Sequence, residues 1–104
     1  MRRGEVWWAD LRKPVGRRPV LLLSRDGAYR IRRSVTVAPL TRTARRIPTE
    51  VALDRSDGVP AQCVVNLDDI ATIPRSLLSE RITLLNADRM RAVAGAITFA
   101  LDLP

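Results

Sequence analysis

The chemistry open to this 104-residue chain is bounded first by what it lacks. It has no histidine and one cysteine, Cys63. The commonest general acid–base group and the commonest zinc ligand are therefore missing, and no Ser-His-Asp or Cys-His arrangement can be assembled. The only adjacent carboxylates, Asp68 and Asp69, point to opposite faces if they lie on a strand, which disfavours a two-metal nuclease centre. No metal and no cofactor is expected. Catalysis in this chain must rest on arginine, carboxylates, hydroxyls, Tyr29 or backbone groups.

Arginine is what the chain has in excess. Residues 1–46 hold 13 Lys/Arg against Glu5, Asp10 and Asp26, a net of +10. Residues 47–104 hold 5 Arg against 8 acids, a net of −3. Every basic residue except Lys13 is Arg. The guanidinium is a planar, permanently charged fork that matches two phosphate oxygens at once, which an ammonium does not. A basic half with this bias points to a polyanion, and to nucleic acid before others. The plainer alternative is a set of solvated charged faces. Arg25, Arg42, Arg45 and Arg46 are candidate contacts to a nucleic-acid phosphate backbone on the same ground.

The elements that must carry these side chains are short. Glu5–Leu11 is rich in β-formers and reads as a strand, followed by a turn at Lys13–Gly16. Arg18–Arg25 is a nearly continuous apolar run, the pattern of a strand buried on both faces, opened by Pro19. Asp26–Arg33 is polar and reads as a loop. Ser34–Thr41 alternates and is a strand, in which Pro39 suggests an edge or a bulge. A basic loop at Arg42–Arg46 leads to a strand at Thr49–Leu53 and a turn at Arg55–Pro60. Ala61–Leu67 and Ile70–Ile73 are two strands or one interrupted strand, and Pro74 opens a helical turn around Arg75–Ser79. Met90, Val93, Ala94, Ile97 and Leu101 share one helix face, capped by Asn86 or Asp88, and Gly95 would let that helix approach the sheet closely. Short strands followed by one helix imply a small, bent β-barrel or half-barrel.

The length fits one domain, residues 1–104. Apolar stretches such as Val20–Leu23 are far too short to span a bilayer, no signal-peptide pattern follows the first residues, and a lone cysteine forms no internal disulfide. A cytoplasmic location without membrane association is expected.

Several segments carry a resemblance when taken together. Arg3–Leu11 (RGEVWWADL), Arg17–Ser24 (RRPVLLLS), Val37–Thr41 (VAPLT), Gly58 and Val64–Ile73 (VVNLDDIATI) resemble, in order and spacing, the MazF/PemK/Kid family of toxin endoribonucleases over essentially the whole chain. The resemblance implies a mainly β, SH3-like barrel with a C-terminal α-helix that forms a homodimer. It implies the toxin of a type II toxin–antitoxin system, a metal-independent, sequence-selective mRNA interferase. Such an enzyme cuts single-stranded RNA by 2′-OH attack, leaves a cyclic phosphate and a 5′-hydroxyl, and is neutralised by an acidic cognate antitoxin.

Carried over residue by residue, Arg18 and Thr41 take the catalytic positions. The residue types suit the reaction, because in-line attack needs no metal where the phosphorane charge is stabilised. Arg18 can clamp two phosphate oxygens and the Thr41 hydroxyl can donate a further bond. An arginine is a poor base, so Arg18 is an electrostatic clamp and acid before it is a base. Arg17 binds phosphate or takes the Arg18 role through a one-residue shift. Asp68 matches a carboxylate that helps hold RNA, or is an exposed strand-end acid.

Trp7 and Trp8 point to opposite faces of their strand. One belongs to the core; the other belongs to a dimer interface or barrel exterior, or stacks on a base. Cys63 is expected to be a buried small hydrophobe. Two features depart from the family: Arg12–Arg17 is shorter than the Gly-rich loop of many relatives, and Ala71 stands where relatives often carry Arg. The competing function is a non-catalytic module on the same fold that binds a protein such as a gyrase, or nucleic acid.

Overall fold

The computed structural model describes residues 1–104. Its elements are β1 (Glu5–Asp10), β2 (Arg17–Leu22), α1 (Ala28–Ile31), β3 (Ser34–Thr41), β4 (Glu50–Leu53), β5 (Cys63–Asn66), β6 (Ala71–Pro74), β7 (Leu78–Leu84) and α2 (Ala87–Ala100). Single 3₁₀ turns lie at Arg55–Asp57 and Arg75–Leu77. The strands pair in the order β4-β5-β3-β2-β1-β7, all antiparallel, and β6 also pairs with β3. β4 and β7 are the free ends of this ladder, so the bent sheet does not close.

β2 is buried on both faces, as its apolar run requires. Leu21 joins a core with Val6, Ala38, Leu40, Val65 and the α2 residues Val93 and Ala96. Val20 and Leu22 join a second core with Ala9, Tyr29, Val35 and Val37 on the opposite face. Each fully buried Val or Leu in this layer contributes about 2 kcal/mol relative to exposure. β2 and its neighbours are thereby a rigid platform.

β3 is central. Pro39 is neither at an edge nor in a bulge: it lies opposite Val20 in the β2–β3 ladder. Thr36 O accepts the Leu23 N–H, so Thr36 and Ala38 turn their backbone groups to β2 and Pro39 turns away from it. On that far side β3 pairs β6 through Val37 and β5 from Leu40 onward. Proline, which has no N–H, fills the gap between the two partners.

Three further expectations change. The Asp26–Arg33 loop contains α1, with Ala28 and Tyr29 buried. The region after Pro74 forms only a brief 3₁₀ turn and then a seven-residue strand, β7, on β1. α2 is capped by Asn86, which accepts the Arg89 N–H at 2.8 Å, but its buried face is rotated. Val93 and Ala96 are buried, Met90, Ile97 and Ala100 pack partly against them, and Ala94 and Leu101 are exposed. Gly95 makes no close approach, since a Cβ there would meet nothing within 4 Å.

Candidate active site

β2 and β3 place Leu22 opposite Val37, Leu21 opposite Ala38 and Val20 opposite Pro39. Two positions further along this register stand Arg18 and Thr41, beyond the last bridged pair and on the same face as Val20 and Pro39. Both are half-buried. Arg18 enters no ion pair. Thr41 Oγ1 accepts the Thr43 N–H at 3.3 Å, which leaves the hydroxyl proton available for donation.

Arg17 faces the other way. Its Nη2 is 3.3 Å from Glu80 Oε2, and its guanidinium lies 4.6 Å from the centroid of the Trp8 ring. Trp8, Pro19, Leu40, Thr41 and Cys63 line a cleft of about 200 Å³ with Arg42 at its rim. Thr41, the last residue of β3, thus reaches both this cleft and the Arg18 face. Trp7 is the tryptophan turned to the second core; its Nε1–H donates to Glu5 Oε1 at 3.2 Å.

The basic loop after Thr41 is held by Glu50, a residue with no role expected from its sequence position. Its side chain is 3% exposed. It accepts the Arg45 N–H at 2.8 Å, the Arg46 N–H at 3.0 Å and the Arg45 Nε–H at 3.2 Å. Burial alone would raise its pKa; the Arg45 and Arg46 bonds outweigh burial and hold it below the usual carboxylate value. Arg46 has a φ of 54°, a left-handed conformation that the paired N–H groups fix in place. Arg42 and Arg46 then line a second cleft, of about 430 Å³, with Ile47, Gln62, Cys63 and Val64. The one signal for this device in the sequence is an acid four residues past Arg46 in a basic stretch.

Asp68 lies in the turn between β5 and β6, not on a strand. Its Oδ2 accepts the Thr49 hydroxyl at 2.7 Å and stands 3.8 Å from Arg45 Nη2, so it braces the base of the same loop. Asp69 turns to a separate partner, Asn66 Nδ2, at 2.9 Å. No group of three or more His, Cys, Asp or Glu side chains could hold a metal ion.

Arg25 is not brought to this site. It lies past the far end of β2, beyond the bend at Ser24, while Arg18 stands at the start of that strand. Tyr29 is at that end too, buried, donating to Ser24 O at 3.0 Å; burial pushes its pKa up to about 12, which takes it out of proton transfer near neutral pH. Cys63 is half-buried rather than buried; burial, with a smaller effect of the Asp57 charge, raises its thiol pKa and keeps it protonated. Leu11 N–H donates to Gly16 O at 3.0 Å and Val15 N–H to Arg12 O at 3.1 Å, so the first hairpin closes on itself. It presents no long flap over Arg18.

Solved toxins share this architecture. The Mycobacterium tuberculosis toxin MazF-mt6 superposes with a TM-score of 0.89 at 38% identity, covering 96% of this chain and 98% of that one. A mycobacterial endoribonuclease solved in complex with its cognate antitoxin gives 0.90 at 33% identity, covering 100% and 97%. In sequence, the chain is 43% identical over 101 residues to the probable endoribonuclease MazF5 of Mycobacterium tuberculosis, covering 96% of this chain and 92% of that protein. Residues 2–101 match the family described as PemK-like, MazF-like toxin of type II toxin-antitoxin system. The chain belongs to that family.

Proposed function

We propose that this chain is the toxin of a type II toxin–antitoxin system and an endoribonuclease that cuts single-stranded RNA without a metal. Residues 1–104 act as one domain. The carrying observation is the register that sets an unpaired arginine, Arg18, across from a free hydroxyl donor, Thr41, on two buried strands. In this reading the ribose 2′-oxygen attacks the adjacent phosphorus as its proton leaves to a base. The O2′–P bond forms, the P–O5′ bond breaks, and the 5′-oxygen takes a proton. The products are a 2′,3′-cyclic phosphate and a 5′-hydroxyl. Arg18 spans two equatorial oxygens of the phosphorane and Thr41 donates to one of them. Arg42 and Arg46 guide the phosphate backbone, while Arg45 and Asp68 fix the loop that presents them.

The chain works as a homodimer and is bound by an acidic antitoxin; the mycobacterial endoribonuclease solved in complex with its cognate antitoxin supports the second of these. No helix is long and apolar enough to cross a membrane, and the cytoplasm, where mRNA and antitoxin are made, is the proposed location. A module that only bound a protein would need neither the unpaired Arg18 nor the Thr41 hydroxyl. Purified protein incubated with a long single-stranded RNA in excess EDTA is the test. Discrete fragments are expected, and cutting that strictly requires Mg²⁺ would refute the reading.

A further inference from the structure

Many of the arginines of the basic half gather at one or other end of the sheet. Antiparallel pairing brings the start of β1, the end of β2, the start of β3 and the end of β6 together, at the end away from Arg18 and Thr41. Arg2, Arg25, Arg30, Arg32, Arg33 and Arg75 are all exposed there, and none enters an ion pair. The nearby acids are already engaged. Asp26 Oδ1 accepts the Arg3 N–H at 2.7 Å, and Glu5 is 6% exposed and bonded to Arg81 at 2.7 Å.

This end is also shaped. Arg33 and Arg75 flank the terminal Ser34–Pro74 pair, and Arg75 N–H donates to Arg33 O at 2.7 Å. Arg75 Nη1 donates to Tyr29 O, which ties its guanidinium to α1. Two clefts meet at Met1 and Arg75. One, of about 490 Å³, includes Arg2, Arg30 and one carboxylate, Asp26; the other, of about 570 Å³, includes Arg33 and no acid. Like charges left unpaired at this density repel one another and weaken the fold, and a bound polyanion relieves that repulsion.

We propose that this end is a second RNA-backbone contact, which holds a segment of a long or folded substrate away from the cut. The proposal rests on the RNA-cutting reading. The forks suit phosphate, and the guanidinium groups of Arg2, Arg30, Arg33 and Arg75 around the two clefts are spread as donors to a backbone rather than gathered at one point. β3 separates this end from Thr41 by roughly 23 Å, so a short oligonucleotide seated at Arg18 and Thr41 does not reach it.

The test compares Arg30→Glu/Arg33→Glu with its parent in two backgrounds. In the Arg18→Ala background, filter binding is measured for a long structured RNA and for a short single-stranded oligonucleotide across a salt series. The double variant should bind the long RNA about 10-fold more weakly, with a slope of log K against log salt smaller by about 2. Oligonucleotide binding should stay within about two-fold. In the otherwise native protein, KM for the long RNA should rise while kcat/KM on the oligonucleotide holds. Arg30→Gln/Arg33→Gln, which only removes charge, should show the same pattern and covers the case in which the reversal does not fold. Unchanged long-RNA affinity and salt slope overturn the proposal. So does an equal loss on both RNAs, or a loss of antitoxin affinity with RNA binding intact. A native protein that cuts no RNA at all refutes the cleavage reading separately, and the binding series still decides the second contact.

Discussion

Arg18 and Thr41 stand opposite each other across β2 and β3, two positions past the last bridged pair, Val20 and Pro39. The same strands, a few residues further in, are buried on both faces. The two candidate residues are therefore carried on strands held by other partners, Arg18 opposite Ala9 of β1 and Thr41 opposite Val64 of β5, just where the β2–β3 ladder itself ends. This is the arrangement expected where donors must be preorganised for charge that appears only in the transition state.

Arg18→Ala should lower kcat by about 10²-fold or more, the cost of deleting one donor to a developing oxyanion. Arg18→Lys should recover only part of this, since a point charge cannot span two oxygens. Single-turnover cleavage of one oligonucleotide measures both, with circular dichroism as the control for folding. Full activity in Arg18→Ala would remove the main assignment. Arg17, held by Glu80 and the Trp8 ring, should tolerate Arg17→Ala with a much smaller loss.

Thr41→Val keeps the branched shape and deletes the hydroxyl. A fall of about 10²-fold in kcat is expected, with Thr41→Ser close to native. Equal rates for Thr41→Val and the native protein would show that the hydroxyl does not act.

Glu50→Gln should loosen the Arg42–Arg46 loop. KM for RNA should rise several-fold with kcat little changed, because the loop guides the backbone and does not touch the reacting phosphate. The same carboxylate makes a pH prediction. Its folded pKa lies below the unfolded value of about 4.3, so the stability it supplies is fully present above that pH and is lost as pH falls through the folded value. Glu5 and Asp57 are shifted the same way. At Glu5 burial opposes, and the bonds from Arg81 and Trp7 prevail; at Asp57 the bond from Arg89 leads. Thermal melts of the native protein should therefore fall off below about pH 4.3, and the gap to Glu50→Gln should narrow there. Parallel curves down to pH 3 would count against it.

Gly58→Ala should destabilise the fold by about 1–3 kcal/mol. Gly58 has a φ of 91°, and a Cβ there would overlap the Thr83 side chain, whose hydroxyl donates to Asp57 O at 3.1 Å. Denaturant melts measure the loss. A variant as stable as the native protein would show that this junction relaxes freely.

The sequence was legible where one periodicity ruled. The alternation of Ser34–Thr41 emerged in place; the doubly buried β2 run also emerged, but its strand stops at Leu22 and not at Arg25, and of the two caps the sequence allows, Asn86 and Asp88, the helix uses Asn86. β7 did not, because register shifts between Val6 and Trp7 and between Trp8 and Ala9 break the two-residue period that would have marked it. The α2 face was misread because Ala96, small and weakly hydrophobic, is buried while Leu101, at the frayed end, is exposed. In the candidate site, Arg18 and Thr41 are suggested by family-like motifs, and the strand register sets them opposite each other. Glu50 was not: its role depends on a loop folding back, which no local pattern records. The second cluster of arginines was counted in the charge excess but could not be separated from the first until strand directions were known.

The central claim is attack by the substrate's own 2′-hydroxyl under the Arg18–Thr41 clamp. The direct measurement uses one cleavable oligonucleotide in excess EDTA, once as RNA and once with a single 2′-deoxy nucleotide at the cut position, with end-group analysis of the products. The account predicts that the RNA is cut to a 2′,3′-cyclic phosphate and a 5′-hydroxyl while the deoxy-substituted strand stays whole. Cleavage of the deoxy-substituted strand, or 5′-phosphate ends on the RNA products, would contradict it.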